Sequence, residues 1–246
     1  MSLVFYSGGH YYDNTPLNKR CIELSGRRTP KVTFIPASSD YGLEDFRDFV
    51  EAWDQIKNCQ FVYFPIDYPF TDEMKNRALS SDIIFLSGGN TYNFLKNLRE
   101  KGIMNDLADA HKSGRVIAGL SAGAILMTPN INTAGFPEFD RDENFVGLKV
   151  KKALNFVNFE FFPHYTHSAR YRKAIKTYSQ KSKNSVFALP DTSGLIVTPE
   201  GLELSGPAYL FIKGQELNLS KVLKSKVQTF SPVERRRYPR FSTTSI

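Results

Sequence analysis

One serine stands out among the residues that could do chemistry. In Gly119-Leu120-Ser121-Ala122-Gly123-Ala124 it follows the apolar run Arg115-Val116-Ile117-Ala118 and opens a helix-forming stretch. A serine at a sharp strand-to-helix turn is held in a strained conformation, and glycines two residues to either side let the neighbouring backbones pass. The turn lifts the hydroxyl above the end of a sheet and sets it at a helix start, where free N–H groups and the helix dipole favour developing negative charge. That is how a nucleophile is presented. Close packing of small residues where helix meets strand is the other account of the same pattern.

A second glycine-rich turn, Ser87-Gly88-Gly89-Asn90-Thr91, also follows an apolar run and precedes a helical segment, Tyr92 to Leu98. Paired glycines let a backbone approach a ligand and aim N–H groups at an oxyanion. The expected oxyanion hole is the N–H of Gly89 with that of Ala122, and Asn90 or Thr91 capping the helix is the purely structural alternative.

A serine hydroxyl needs a base, and the chain has four histidines. His111 falls in a helical stretch beside Lys112 and is expected to face solvent; His10 follows Gly8-Gly9 at a strand end and reads as a loop residue. His164, in Phe162-Pro163-His164-Tyr165, follows a strand with a proline directing the chain, and is the expected base, with His167 in reserve. The orienting acid is sought in the loop after the nucleophile helix, among Glu138, Asp140, Asp142 and Glu143.

The elements that must position these groups follow from periodicity. Short apolar runs at Leu3 to Tyr6, Val32 to Pro36, Phe61 to Phe64, Ile83 to Leu86 and Val116 to Leu120 alternate with helical segments, which predicts βαβ units and a parallel sheet. Leu43, Phe46, Phe49, Val50 and Trp53 form one stripe of a helix that faces the sheet. In such a sheet the loops Ser7-Gly8-Gly9, Ala37-Ser38-Ser39, Ser87 to Asn90 and Ser121 to Gly123 share the carboxyl edge, where ligands bind. Later segments predict an extended loop or short hairpin over Pro129 to Asn144, a strand over Phe156 to Phe162 and a helix from Ala169 to Gln180. Strands near Val186 to Leu189, Gly194 to Val197, Leu202 to Leu204 and Tyr209 to Ile212 are expected as hairpins at one sheet edge.

Composition narrows the class. The chain has 246 residues, 41% of them hydrophobic and 23% charged, the balance of a globular protein with one large core. No apolar run approaches the roughly 20 residues of a membrane helix. The N-terminus lacks the pattern of a secretory signal, so the cytoplasm is the expected location. Two cysteines, Cys21 and Cys59, make neither a disulfide framework nor a metal spacing, and no cofactor or metal is expected. Much of the net charge of +7 falls late, at Lys221, Lys224, Lys226 and Arg235-Arg236-Arg237, without a nucleic-acid-binding motif. Sequence-specific nucleic-acid binding is not expected. The domain division is 1–215 for a hydrolytic domain and 216–246 for a basic, partly irregular extension.

Taken together in order, Phe34-Ile35-Pro36-Ala37, Gly88-Gly89-Asn90-Thr91, the Gly119 to Ala124 turn, Ala153 to Phe159, Pro163-His164-Tyr165 and Leu189-Pro190-Asp191 resemble the peptidase E family, the aspartyl dipeptidase and cyanophycinase group of serine peptidases. The resemblance runs from about Leu3 to Lys213. It implies an α/β fold, a flavodoxin-like three-layer sandwich of the class I glutamine amidotransferase type, with a mainly parallel central sheet and an antiparallel edge. It implies Ser121 as nucleophile, His164 as base and Gly89 with Ala122 as oxyanion hole, with Gly88, Asn90 and Thr91 binding a small peptide. Aspartyl dipeptidases carry an aspartate shortly after the elbow helix; here Asn132 to Phe136 holds none, and Asp140 is the expected acid. Leu120 stands where tryptophan is typical and no arginine lies near Asn132, which weakens an expectation of strict Asp-X specificity. An amidase or cyanophycinase-like hydrolase, and a non-catalytic member lacking a complete triad, are the alternatives. A glutaminase of this fold would carry cysteine at the elbow. A homodimer is compatible with the sequence.

Overall fold

The computed structural model describes residues 1–222; Lys224, Lys226 and Arg235 to Arg237 of the expected basic extension lie outside the described residues. Strands β1 (Leu3–Tyr6), β2 (Lys31–Ile35), β3 (Gln60–Tyr63), β4 (Ile83–Leu86) and β5 (Val116–Leu120) pair in parallel in the order β3-β2-β4-β5-β1. The hairpin β8 (Gly194–Thr198) and β9 (Gly201–Ser205) extends this sheet antiparallel from β1.

These strands read as unbroken apolar runs because both faces are covered, and their side chains divide with period two. Leu3, Phe5, Ile84, Leu86 and Ile117 face one core, while Val4, Tyr6, Ile83, Phe85 and Val116 face the other. Helices α1 (Thr15–Leu24) and α2 (Gly42–Asp54) close the second face, where Phe34, Phe49, Trp53 and Phe85 interlock. The expected α2 stripe holds for the buried Phe49 and Trp53, whereas Leu43 at its start is exposed. Helices α3 (Asp72–Leu79), α4 (Thr91–Glu100), α5 (Ile103–Lys112) and the short α6 (Ala122–Leu126) pack on the first face. The result is the expected three-layer α/β architecture.

Of the later strands, β8 and β9 form the expected hairpin at the sheet edge, whereas the strands near Val186 and Tyr209 depart from that expectation. β6 (Glu160–Phe162) and β7 (Val186–Ala188) pair in parallel, and β10 (Tyr209–Ile212) and β11 (Gln215–Asn218) join them in a separate four-stranded sheet ordered β11-β10-β7-β6. Helix α7 (Ala169–Lys181) is the βαβ crossover that makes parallel pairing possible. Only the last three residues of the predicted strand 156–162 are extended into it, because Phe159 and Phe161 are anchored against Phe5 of the main sheet. β11 and α8 (Leu219–Val222) continue the fold past residue 215. No helix of the described residues is long and apolar enough to cross a membrane.

Candidate active site

The elbow is built by close backbone contact. Ser121 has φ 49° and ψ −106°, a strained conformation for a residue with a Cβ. Its N–H continues the ladder to the Tyr6 carbonyl at 3.0 Å, and the Gly123 N–H donates to the Ser87 carbonyl at 3.1 Å, which locks α6 onto the end of β4. A Cβ on Gly123 would lie 2.2 Å from the Leu86 carbonyl oxygen, and one on Gly119 would lie 2.4 Å from the Gly123 carbonyl carbon. Both glycines are therefore required by space.

Above the elbow, Ser121 Oγ lies 2.7 Å from Nε2 of His164, and Nδ1 of the same ring lies 2.7 Å from Oδ1 of Asp191. The structure thus brings together two of the three residues expected to form the catalytic set, and the carboxylate beside the histidine is that of Asp191. Asp140 is not at His164: its carboxylate accepts the hydroxyl of Tyr171, whose pKa is pushed up to about 12 by burial and by that hydrogen bond. The reason is topological. β6 and β7 run in parallel, so the residues just beyond their ends, His164 and Asp191, fall side by side, whereas Asp140 lies on the loop after α6, where it meets Tyr171. The missed signal is a repeated pattern: Phe162-Pro163-His164 and Leu189-Pro190-Asp191 each place a polar residue after proline at a strand end.

The other three histidines take no part in this chain of hydrogen bonds. His167 pairs with Glu216 at 3.0 Å and stacks on Tyr209. His10 lies in a smaller cavity with Asp45 and Asp48. His111 does not simply face solvent: its ring stacks on Phe156 at 4.6 Å and burial lowers its pKa.

Gly89 has φ +131°, and a Cβ there would meet the Ala37 methyl at 2.8 Å. The turn is held by Ser87, whose hydroxyl accepts from Ala37 N–H and donates to the Gly88 carbonyl, both at 2.8 Å. Asn90 serves the helix: its Oδ1 caps the Asn93 N–H at 3.0 Å, and its Nδ2 donates to the Glu143 carbonyl at 2.9 Å. The Thr91 N–H donates to Asp142 at 2.7 Å. Gly89, Thr91, Ser121 and His164 open onto one cavity of about 620 Å³, which Glu138, Asp140, Arg141, Asp142 and Glu143 also line. Among the described residues no group of three or more His, Cys, Asp or Glu could hold a metal ion.

Comparison with known proteins places the chain in a family and agrees with its fold. The family model described as Peptidase family S51 matches residues 3–205. The chain belongs to this family. S51 membership makes it a serine-type peptidase, and curated relatives are named as peptidases. The peptidase E of Shigella flexneri serotype 5b is 29% identical over 210 residues, covering 79% of this chain and 84% of its own. The uncharacterized peptidase YgaJ of Bacillus subtilis is 29% identical over 185 residues, covering 74% and 76%. Among solved structures, a Listeria monocytogenes EGD-e protein named as a candidate peptidase E superposes with a TM-score of 0.67 at 23% identity, covering 82% of this S51 chain and 96% of its own. A peptidase from an acI-B1 actinobacterium superposes with a TM-score of 0.63 at 16% identity, covering 88% and 96%. At those identities the superpositions speak for the fold.

Proposed function

We propose that this peptidase hydrolyses the amide of a small peptide or dipeptide through an acyl-enzyme on Ser121. The observation that carries the reading is the continuous chain Ser121 Oγ, His164 Nε2, His164 Nδ1, Asp191 Oδ1, with 2.7 Å at each contact. His164 accepts the Ser121 proton as the alkoxide attacks the carbonyl carbon, and Asp191 holds the ring in the tautomer whose Nε2 faces the serine. The N–H groups of Gly89 and Ala122 receive the oxyanion, while Thr91 lines the cavity that seats the peptide; Gly88 opens instead onto the smaller cavity beside His10. His164 then protonates the leaving amine and water releases the acyl group. A side-chain role for Asn90 in substrate binding is less well supported, since both its polar ends are engaged within the protein.

The lack of an acid soon after the elbow favours a non-catalytic role, and Asp191 at 2.7 Å from His164 Nδ1 supports the catalytic reading instead. The reading is tested with Ser121→Ala and His164→Ala against a dipeptide library, β-linked Asp-Arg and glutamine, alongside a fluorophosphonate probe. We expect both variants to lose about three orders of magnitude or more in turnover while melting near the natural chain. Unchanged hydrolysis in both variants would overturn the assignment, and the substrate that is cleaved separates dipeptidase from amidase and cyanophycinase-like action.

A further inference from the structure

A regular parallel pair of β6 and β7 would continue past Phe162 in a set rhythm. The Leu189 N–H donates to the Phe162 carbonyl at 3.1 Å, and the next bond back should come from residue 164. It comes instead from Tyr165, whose N–H donates to the Leu189 carbonyl at 2.9 Å. One residue is therefore extra, and that residue is His164, at φ +56°. Bulges of this kind re-aim a side chain next to active sites, and they leave the extra N–H without its ladder partner.

The partner is supplied from another strand. Ser7, fully buried just beyond β1, accepts the His164 N–H at 2.9 Å and donates its own hydroxyl to the Leu189 carbonyl at 2.6 Å. One hydroxyl is thus inserted into the broken rung, between the residue proposed as base and the carbonyl two residues before the proposed acid. The surrounding backbone holds Ser7 in place: its N–H donates to the Ser193 carbonyl at 3.0 Å, and the Gly8 carbonyl accepts from Thr192 at 3.1 Å.

The geometry points to Ser7 as a positioning residue, whose hydroxyl keeps the His164 bulge open and so sets the imidazole at hydrogen-bond distance from both Ser121 and Asp191. The inference rests on the proposed roles of those three residues. Without the hydroxyl, a part-buried N–H and a carbonyl lone pair lose their partner, and the local remedy is to close the bulge, which rotates the ring away from the serine. Displacements of about 1 Å in such a constellation cost about 100-fold in rate.

Ser81 supplies the control. It is also fully buried and hydrogen-bonded, 2.8 Å from Thr33 Oγ1, but it precedes β4 at the opposite edge of the sheet. Ser7→Ala and Ser81→Ala would be compared in thermal melting, in kcat and KM on the best peptide from the library, and in fluorophosphonate labelling rate well below the melting temperature. We expect Ser7→Ala to lose about 100-fold in kcat and labelling with KM within about threefold, and Ser81→Ala to melt lower while labelling at the natural rate. Ser7→Cys, which keeps the volume but makes longer and weaker bonds, should lose about tenfold in labelling and serves if the alanine variant does not fold. Labelling of Ser7→Ala or Ser7→Cys within threefold of the natural chain, or an equal loss in Ser81→Ala, would overturn the positioning role and leave the hydrolase reading standing. Absence of labelling in the natural chain, or labelling undiminished in Ser121→Ala, would overturn both.

Discussion

Replacing Asp191 by asparagine is the sharpest test of the proposed acid. The substitution keeps the shape and removes the charge that faces Nδ1 of His164 at 2.7 Å. Opposite unit charges about 4 Å apart attract by about 1 kcal/mol in bulk water and about 4 kcal/mol at an effective dielectric of 20. The two side chains are 47% and 57% exposed, so the contribution to the imidazolium formed in the transition state falls between those limits, about 2 kcal/mol. At 1.36 kcal/mol per tenfold this is about 30-fold in rate. The amide has a second effect, because its NH₂ can donate to Nδ1 and so favour the tautomer with the proton on Nε2, which leaves no base facing Ser121. The two effects together give an expected loss of about 100- to 1,000-fold in kcat, short of the about 10⁴-fold found when a buried triad acid is made an amide. Steady-state kinetics and fluorophosphonate labelling of Asp191→Asn would be read beside Asp140→Asn, whose effect should fall on KM because Asp140 lines the cavity without touching the histidine. An Asp191→Asn enzyme within threefold of the natural kcat, or an equal kcat loss in Asp140→Asn, would refute the reasoning.

Three further outcomes follow from particular contacts. In Gly8→Ala the new Cβ would lie 2.1 Å from Asp191 Oδ1 and 2.5 Å from the His164 ring, so both side chains must move; labelling should fall about 100-fold while the melting temperature shifts little, and an enzyme of natural activity would argue against the packed geometry. Gly123→Ala drives a Cβ against the Leu86 carbonyl oxygen, which is backbone and cannot swing aside; chemical denaturation should show a loss of about 1 to 3 kcal/mol, and natural stability would show that the elbow has room. Burial lowers the His111 pKa below its ordinary 6.5, and the N-terminal charge adds to this. The unfolded chain therefore takes up the proton first, so the contribution of His111 to stability is complete above about pH 6.5 and is lost as pH falls through that value toward the folded pKa. Thermal melts at pH 7.5 and pH 5 should show a smaller acid-induced drop for His111→Phe than for the natural chain, and equal drops would dismiss the effect.

Much of this protein is legible in its sequence because the relevant physics is local. A β-branched or aromatic run declares a strand, and Gly-x-Ser-x-Gly between such a run and a helix declares the elbow, since only glycines at 119 and 123 fit the contacts within and just beside the turn. The glycine pair at 88 and 89 and the strand-end His164 were likewise visible from their immediate neighbours. What adjacency in the chain could not reveal was the pairing of distant strands. Proximity in sequence points to an acid near the elbow, yet Asp191 reaches His164 because β6 and β7 lie parallel in a second sheet that local periodicity does not distinguish from an edge of the first. The same holds for Ser7, which is 157 residues from His164 and meets it only where a rung of that pairing is broken. Strand identity is a property of a few consecutive side chains, whereas register, sheet membership and the fate of an unpaired N–H belong to contacts that exist only once the whole core has closed.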